Sequence, residues 1–524
     1  MQIIKKTTLV LLALVMLLSA LVACVKTTPN TPETDAPESN TQGDVIDTTP
    51  ETNEWGEEDV KHAVPDTLNY NGAAINVVVR AAEQYGREWT TEKKDDSLDI
   101  QVYKRNTKVQ NQLNVNFNFI RVADNSQSSG GAKTMTNAIE AVGKAGGKDY
   151  DVINQYRNDA GNTNLLVYYK NLRGADFTYL NLDMPYWSQN FNNTLNSAGK
   201  QFFIVGDINL SLWDRAIVVF FNKAKLDVYT DYSENDLYQM VNNHEWTYEV
   251  FYNIIKDMHE EKDGNSSTSA GDFVGLASIY ESEASDGLLY SWNVALTQEA
   301  VDGTHTLITD AAYNKYINAG DMLVDLYSAN GAWLNKTTDA NVAHFTQGYS
   351  LFNIDVLYHT ESHLKSLKDM TDGFGVLPTP KYDENQEEYY TGVQDAHSIM
   401  CVMDGAKDFE MISAALELLA YESYNTVRPY YVKTIIKGQN FDDATSGAMF
   451  DIIMDGVTLD FCDMWEGSDP KFRWILWRKP FQTLLSAKLG GSRTPISFVD
   501  SYAANISALN EKLSQMDLFI DALE

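Results

Sequence analysis

The stretch AINVVV, residues 74–79, decides the fold class of this chain. Its β-branched residues form an almost unbroken run, which is typical of a strand buried on both faces of a sheet. A segment with apolar residues at helical spacing, Ser97 to Asn111, comes next. Polar and apolar residues then alternate over 114–119, and a further short strand follows at Tyr150 to Asn154. Strands and helices in this order predict a parallel sheet with crossover helices.

A second set of strands and helices begins near Asp207 and predicts a second α/β unit. The predicted strands are 215–223, 271–278, 349–355 and 373–380, and the predicted helices are 245–261, 311–327, 409–423 and the segment from Ser497 onward. Proline cannot donate to a sheet, so Pro378 and Pro380 end the last of these strands. A chain of 524 residues with no visible internal repeat is expected to form two or three domains.

The N-terminal residues have the pattern of a secretory signal. Lys5 and Lys6 precede an apolar run, Leu9 to Leu18, which is too short for a comfortable membrane-spanning helix. Leu21-Val22-Ala23-Cys24 resembles a bacterial lipobox, in which cleavage precedes the cysteine and the cysteine carries the lipid. We expect residues 1–23 to be the signal peptide and Cys24 to be lipidated; the alternative is an ordinary signal peptide with a chance cysteine. Residues 25–66 are rich in Thr, Pro and acidic residues and predict a disordered tether.

Composition excludes several classes of partner and site. The formal net charge of −33 makes nucleic acid a poor partner, because binding it requires clustered Lys and Arg. Only Cys401 and Cys462 remain after Cys24, so we expect buried thiols and no disulfide framework. His359 and His363 do not match a zinc helix, since Glu361 lies in the wrong position. No metal ion or other cofactor is predicted.

Enzyme motifs are also missing from the sequence. It has no G-x-S-x-G elbow, no P-loop with G-K-[ST], and no local feature that identifies a catalytic carboxylate pair. We therefore predict a protein that performs no chemistry on its ligand.

The order of short motifs along the chain resembles the extracellular solute-binding proteins of bacterial ABC importers, in the carbohydrate-binding group related to maltose-binding protein. The motifs are Asp149-Tyr150-Asp151-Val152, Gly199-Lys200, Phe220-Phe221-Asn222-Lys223, Glu245-Trp246-Thr247-Tyr248-Glu249, Phe345 to Phe352 and Gly375-Val376-Leu377-Pro378-Thr379-Pro380. Leu351-Phe352 replaces the Ala-Met that is usual in the family. The resemblance covers essentially all of Asn69 to Glu524.

This resemblance implies an α/β fold with two lobes, a cleft and interlobe hinge crossings, as in periplasmic binding proteins. The body would span 67–524, with lobe 1 at about 67–210 and 378–425 and lobe 2 at about 211–377 and 426–524. The implied crossings lie near Gly206 to Arg215, Leu377 to Lys381 and Tyr421 to Tyr430. The resemblance also implies a sugar ligand, ABC permease partners and a monomer, attached to the membrane by its N-terminal lipid on the extracytoplasmic face.

Candidate ligand-binding residues lie just after strand ends, where open α/β sheets place their sites. Aromatic rings stack on sugar faces, and polar side chains pair with sugar hydroxyls. The candidates are Glu83, Trp89, Arg157, Asp159, Trp213, Asp214, Trp292, Gln394, Asp395 and Trp465. Tyr358 is added because the family often has a stacking aromatic at this position. The alternatives are core packing for each aromatic and a solvated surface position for each carboxylate.

These observations predict a lipid-anchored receptor that captures a sugar, expected to be an oligosaccharide, by closure of the two lobes. Two other functions remain open at this point: a binding protein for peptides or other polar oligomers, and a secreted enzyme that acts on polysaccharides.

Overall fold

The structure is a computed structural model that describes residues 60–91, 97–124, 134–262, 264, 268–280, 282–358, 361–437, 444–465 and 471–523. The predicted signal peptide, the lipidation site at Cys24 and residues 25–59 of the predicted tether lie outside the described residues. The prediction of a disordered tether does not hold for the rest of it, because Val64 is buried in the apolar cluster of the first lobe. Among the described residues, no helix is both long and apolar enough to cross a bilayer.

The strands form two main sheets and one hairpin. They are β1 (Ala73–Arg80), β2 (Val115–Val122), β3 (Val152–Tyr156), β4 (Ile217–Asn222), β5 (His259–Glu260), β6 (Phe273–Ile279), β7 (Thr297–Glu299), β8 (His305–Leu307), β9 (Ala332–Asn335), β10 (Ser350–Val356), β11 (Phe374–Leu377) and β12 (Ser398–Val402). The first sheet has the order β12-β3-β1-β2, and the second has the order β11-β4-β10-β6-β5 with β9 paired to β6. We call the elements around these sheets the first and the second lobe.

The helices surround both sheets. They are α1 (Glu83–Gly86), α2 (Ser97–Leu113), α3 (Thr134–Lys144), α4 (Arg157–Ala160), α5 (Thr163–Leu166), α6 (Gln189–Thr194), α7 (Leu210–Asp214), α8 (Lys223–Tyr229), α9 (Glu234–Asn242), α10 (Tyr248–Ile255), α11 (Ser282–Ser291), α12 (Asp310–Ser328), α13 (Thr338–Thr346), α14 (Glu361–Lys368), α15 (Phe409–Glu422), α16 (Arg428–Lys437), α17 (Ala444–Asp455), α18 (Lys479–Lys488) and α19 (Phe498–Ala522). Two π-turns, Ser423–Val427 and Trp474–Arg478, and a 3-10 turn, Phe461–Trp465, complete the set.

Strand β1 carries the core of the first lobe on both of its faces. Ile75, Val77 and Val79 point into one apolar cluster, which α2 and α15 cover. Val78 points the other way, into a cluster that continues through the crossings into the second lobe. This alternation follows from the period of two in a strand. The predicted burial on both faces is confirmed for Val77–Val79, whereas Ala74 is exposed and Asn76 is half-buried.

The prediction of a parallel sheet is confirmed only in part. Strand β1 pairs in parallel with β2 and β3, but β12 runs antiparallel to β3. The second sheet is mixed, since β10 is parallel to β6 and antiparallel to β4. The antiparallel strand β12 lies nearly 250 residues after β3 in the sequence. The order of neighbouring segments could therefore not predict this pairing.

The predicted helix 245–261 is wrong at both ends. The helix itself covers only Tyr248–Ile255. Before it, Trp246 donates its indole N–H to the carbonyl of Pro378 (2.9 Å), and the Trp246 carbonyl accepts from the backbone N–H of Lys381 (3.0 Å). After it, His259 and Glu260 pair with β6. Contacts with distant segments thus override the local helical pattern at both ends.

The chain passes between the lobes three times. Ile204 still pairs with Met400 of the first sheet, and α7 then leads into β4 of the second. The second passage lies at Val393–Ser398, later than the predicted Leu377–Lys381, because Lys381 is still paired with Thr247 of the second lobe. The third passage, through Ser423–Val427, is a π-turn that joins α15 to α16, so it is helical rather than extended.

Candidate ligand-binding site

Charged side chains from both lobes meet between the two sheets. One group, which we call the Asp395 cluster, consists of Arg157, Asp286, Tyr290, Asp395, Asp463, Arg473 and Arg478. Arg157 follows the end of β3 in the first lobe, and Asp286 and Tyr290 lie on α11 of the second lobe. Asp395 lies in the second passage between the lobes. Side chains on three parts of the fold therefore share one buried site.

The carboxylate of Asp395 lies at the centre of this cluster. Its Oδ1 atom is 2.5 Å from Nη2 of Arg157 and 2.5 Å from Nη2 of Arg473. Its Oδ2 atom is 3.2 Å from Nη2 of Arg478. Burial raises the pKa of Asp395, but the charges of Arg473, Arg478 and Arg157 outweigh burial and hold this pKa well below its usual range. The carboxylate is therefore ionised over the physiological range of pH.

Two further carboxylates balance the remaining guanidinium charge. Asp286 accepts the single Nε–H of Arg478 in a bifurcated hydrogen bond, with each carboxylate oxygen 3.0 Å from Nε. Asp463 accepts from the hydroxyl of Tyr290 (2.6 Å), and its carbonyl accepts from Nη1 of Arg157 (2.5 Å). Burial raises the pKa of the Asp463 carboxyl, although the positive charge of Arg473 acts to lower it. Three arginines thus face three acidic side chains, and the cluster carries no large net charge.

A second group, the Asp214 cluster, lies beside the first passage. It consists of Arg87, Trp213, Asp214, Tyr358 and Tyr431. Asp214 pairs with Nη2 of Arg87 (3.0 Å) and accepts from the hydroxyl of Tyr431 (2.8 Å). The guanidinium of Arg87 lies 4.8 Å from the ring centre of Tyr358, and the rings of Trp213 and Tyr431 are 5.8 Å apart. Buried aromatic rings and a buried ion pair therefore lie side by side.

A cavity of about 370 Å³ opens next to the Asp395 cluster. Asn193 and Thr194 of α6 line it from the first lobe, since α6 packs against the segment that pairs with β12. The second lobe contributes Tyr290, Asn293, Val294, Ala295, Thr297, Gln298, Glu299, His305, Thr458, Leu459, Asp460 and Phe461. Tyr290 belongs to both the cavity and the cluster. Amides, hydroxyls and aromatic rings dominate this lining, which suits a polar ligand with apolar faces.

The structure brings together five of the residues predicted from the sequence. Arg157 and Asp395 form one ion pair, and Trp213, Asp214 and Tyr358 share the second cluster. Gln394 lies next to Asp395, where its backbone N–H donates to the carbonyl of Arg215 (2.9 Å). Asp159 lies on α4 with 9% of its surface exposed, and Glu83 is exposed at the start of α1.

Trp89 and Trp292 lie in the cores of the lobes. Trp89 is 1% exposed and belongs to the apolar cluster of the first lobe. Trp292 is fully buried, with its ring 5.3 Å from that of Tyr248 and 6.2 Å from that of Tyr382. A tryptophan buries more apolar surface than other side chains, and packing takes up both rings here. The side chain of Trp465 lies outside the described residues; its backbone belongs to the 3-10 turn.

Sequence reasoning missed most of the charged partners. Arg87, Asp286, Tyr290, Tyr431, Asp463, Arg473 and Arg478 were not among the candidates. One signal was available, because Arg473 and Arg478 are five residues apart in an apolar segment of a strongly acidic chain. A π-turn places residues five apart on one side, so both guanidiniums reach Asp395. In the same turn Trp477 is fully buried, whereas Trp474 is 43% exposed.

Comparison with known proteins supports the fold. No protein-family model matches the chain. No curated protein matches it by sequence either. Among solved structures, a cyclo/maltodextrin-binding protein complexed with maltotetraose is 12% identical with a TM-score of 0.50, and the match covers 85% of this chain and 98% of that one. The two-lobed solute-binding-protein fold predicted from the sequence is therefore confirmed.

Two further structures show weaker likeness. The galacto-N-biose-/lacto-N-biose I-binding protein of an ABC transporter from Bifidobacterium longum is 13% identical, with a TM-score of 0.49 and coverage of 85% of this chain and 98% of that one. The GacH receptor of Streptomyces glaucescens, whose structures include a complex with acarbose, is 11% identical, with a TM-score of 0.45 and coverage of 86% and 100%.

Proposed function

We propose that this chain captures a sugar between its two lobes and delivers it to the permease of an ABC transporter. The observation that carries the proposal is the cavity beside the Asp395 cluster, which residues of both lobes line. Sugar rings present apolar faces that pack on aromatic side chains, and Tyr290, His305 and Phe461 contribute to the lining of the cavity. The sugar hydroxyls need donors and acceptors, which the amides and hydroxyls of this lining supply.

Contacts from both lobes also explain how binding would be signalled. A ligand shifts a conformational equilibrium only by its difference in affinity for the two states. A ligand that touches Asn193 on the first lobe and Thr297 on the second gains those contacts together only when the lobes are closed. The closed form would then be the one that the permease receives. Support for this step comes from the fold and from the two-sided lining of the cavity.

The test is thermal stability of the purified chain against a panel of neutral mono- and oligosaccharides and peptides. A ligand at a hundredfold excess over its Kd should raise the free energy of unfolding by about 3 kcal/mol. Asn193→Ala should weaken binding about fivefold, because one hydrogen bond from the first lobe is lost. Gln515→Ala, on an exposed part of α19, is the matched control and should bind as the unmodified chain does.

Each result of this panel has a definite meaning. A shift with one group of saccharides, recovered intact afterwards, supports a sugar receptor. A shift with peptides alone would replace the sugar by a peptide as the cargo. Consumption of the saccharide would replace transport by an enzymatic function.

We also propose that a lipid on Cys24 anchors the protein on the extracytoplasmic face of the cell membrane. The support is the pattern of Lys5, Lys6, the apolar run and Leu21-Val22-Ala23-Cys24. Cells expressing the chain would be grown with a labelled fatty acid and then fractionated. Label and membrane association are expected for the unmodified chain, and Cys24→Ala should lose both. Retention of label by that variant would contradict the proposal.

A further inference from the structure

Three guanidinium groups converge on a single carboxylate in the cleft. Arg157 reaches it from the first lobe, and Arg473 and Arg478 reach it from the second. Converging guanidiniums of this kind form a strong carboxylate-binding site, because each donates charge-assisted hydrogen bonds from a rigid planar fork. Here the chain's own Asp395 occupies the site.

The open edge of this site is where a ligand would meet it. The side chains of Asp395 and Arg478 are 18% and 19% exposed, whereas those of Arg157 and Arg473 are 2% and 1% exposed. Tyr290 connects the buried part of the cluster to the cavity, since it lines the cavity and its hydroxyl accepts from Nη1 of Arg473 at 2.5 Å. A ligand in the cavity therefore approaches the arginines with Asp395 already in place.

The backbone around Asp395 is fixed on both sides. The N–H of Gln394 donates to the carbonyl of Arg215 (2.9 Å), and Val393 pairs with Ala216. On the other side, the carbonyl of Ala396 accepts from Nη1 of Arg80 (2.7 Å), and His397 begins the connection to β12. These contacts oppose movement of Asp395 out of the site, so a ligand carboxylate would have to displace a carboxylate held on a fixed support.

The surrounding charges also oppose an anionic ligand. Arg157, Arg473 and Arg478 are already matched by Asp286, Asp395 and Asp463. Glu299 and Asp460 line the adjacent cavity. An added negative charge would find no unmatched arginine in this cluster and would be repelled by both acidic residues of the cavity lining.

We propose that Asp395 is a specificity-determining residue that fills the three-arginine site and restricts the cargo to uncharged saccharides. This inference rests on the proposed sugar-binding function. Its structural half, that Asp395 occupies a site able to hold a free carboxylate, can be tested without any sugar.

The first test is chemical rescue. Asp395→Ala should lower the melting temperature by about 3 °C, because three clustered guanidiniums lose the carboxylate that they share. Acetate should restore stability in a saturable way, whereas acetamide, its uncharged analogue, should not. Asp395→Asn keeps the volume of the side chain, leaves no space for acetate and should not be rescued.

Asp455→Ala is the matched control for this test. Asp455 pairs with Nη2 of Arg428 at 2.9 Å, and its side chain is 68% exposed. Its removal opens no enclosed site, so acetate should have no specific effect. Equal acetate stabilisation of Asp395→Ala, Asp395→Asn and Asp455→Ala would overturn the inference.

The second test measures cargo selectivity of the unmodified chain, and it does not depend on how well any variant folds. The neutral saccharide found in the stability panel is compared with the matching uronate, which carries a carboxylate on the same sugar. We expect the neutral ligand to bind at least about tenfold more tightly, which corresponds to 1.4 kcal/mol. Asp395→Ala should reduce this ratio at least tenfold.

The two proposals fail in different ways. Tight binding of the uronate by the unmodified chain would overturn the role of Asp395 and leave sugar binding intact. Rescue by acetate without binding of any saccharide would leave the carboxylate site standing and remove the function on which the role in specificity rests.

Discussion

Arg87 and Asp214 tie the first lobe to the first passage between the lobes: Nη2 of Arg87 lies 3.0 Å from Oδ2 and 3.2 Å from Oδ1 of Asp214. Their side chains are 14% and 4% exposed. Tyr431, on the helix after the third passage, donates to the same carboxylate. Removing one partner of a buried ion pair leaves an uncompensated buried charge, which lowers the free energy of unfolding strongly. Replacing the whole pair by apolar residues of similar volume changes stability much less.

We therefore expect Asp214→Asn to lower the free energy of unfolding by about 3 kcal/mol, because the Arg87 cation is left without a counter-charge. Urea unfolding measures this change. Glu140→Gln is the matched control, since Glu140 and Lys144 form an ion pair on an exposed face of α3, and it should leave the urea midpoint unchanged. A similar small effect of both variants would contradict a buried, interdependent pair.

Because the carboxyl of Glu417 is buried, we expect the free energy of unfolding to fall as the pH rises. Burial raises the pKa of this carboxyl, although the Tyr186 hydroxyl, the Asn181 N–H and the Trp187 indole N–H all donate to it. A carboxyl with a raised pKa in the folded state binds its proton more tightly there than in the unfolded chain. Its contribution is complete below the ordinary value near 4.5 and is lost as the pH rises through the raised pKa.

Glu417→Gln removes this titration and should flatten the dependence of stability on pH above about 4.5. The amide can present its oxygen to Asn181 and Trp187 and its N–H to the Tyr186 hydroxyl, so the hydrogen bonds survive. The measurement is urea unfolding at several pH values, followed by tryptophan fluorescence. Parallel pH profiles of the variant and the unmodified chain would show that Glu417 does not titrate in this range.

Gly392 packs closely against Tyr290, so we expect a larger residue at this position to affect ligand binding. A Cβ atom at this position would lie 2.7 Å from Cδ2 of Tyr290 and 3.2 Å from the carbonyl oxygen of Asp286. Gly392→Ala should therefore displace the Tyr290 ring, lower stability by about 1–3 kcal/mol and weaken saccharide binding.

Gly447→Ala is the matched control, because no atom lies within 4 Å of its added Cβ. Alanine is a better helix former than glycine, so this variant on α17 should be slightly more stable and bind normally. Calorimetric unfolding and ligand titration of both variants check the two effects. Normal binding by Gly392→Ala would separate Tyr290 from the ligand site.

Much of the fold could be predicted because local patterns agree with tertiary structure. The β-branched run at 74–79 became β1, Ala73–Arg80, and the helix predicted from Ser497 became α19, for which the Ser497 side chain is the N-terminal cap. Where contacts between segments that are distant in the sequence determine the structure, local sequence patterns could not predict it. Strand β12 joins the first sheet from a point nearly 250 residues after its partner β3, a pairing that no local periodicity reports.

The candidate site was predicted less well, for a physical reason. Position after a strand end applies to Arg157, which follows β3, whereas Asp395 precedes β12 and reaches Arg157 from the second passage between the lobes. Aromatic residues gave a weaker signal, since the same large side chain can pack in a core, as Trp292 does. The cations that complete the site come from a π-turn, where a spacing of five residues falls outside the usual helical patterns.

Because the imidazole of His397 is buried, we expect the free energy of unfolding to fall in acid. Burial, with Arg157 beside it, lowers the pKa of this imidazole to about 3, and its Nδ1 lies 3.0 Å from the Gln394 carbonyl oxygen. A base with a lowered pKa in the folded state is protonated first in the unfolded chain. Its contribution is therefore complete above about pH 6.5, the ordinary value, and is lost as the pH falls toward 3.

We expect His397→Asn to be less stable than the unmodified chain at pH 7 and the difference to shrink as the pH falls from 6.5 toward 3, by up to roughly 4 kcal/mol. Comparing the two proteins cancels the acid sensitivity of Asp395 and the other carboxylates, which both share. Urea unfolding over this range gives the difference directly, and NMR of the imidazole gives its titration. An imidazole resonance that titrates between pH 6 and 7 in the folded protein would mean that His397 is not held neutral by burial beside Arg157.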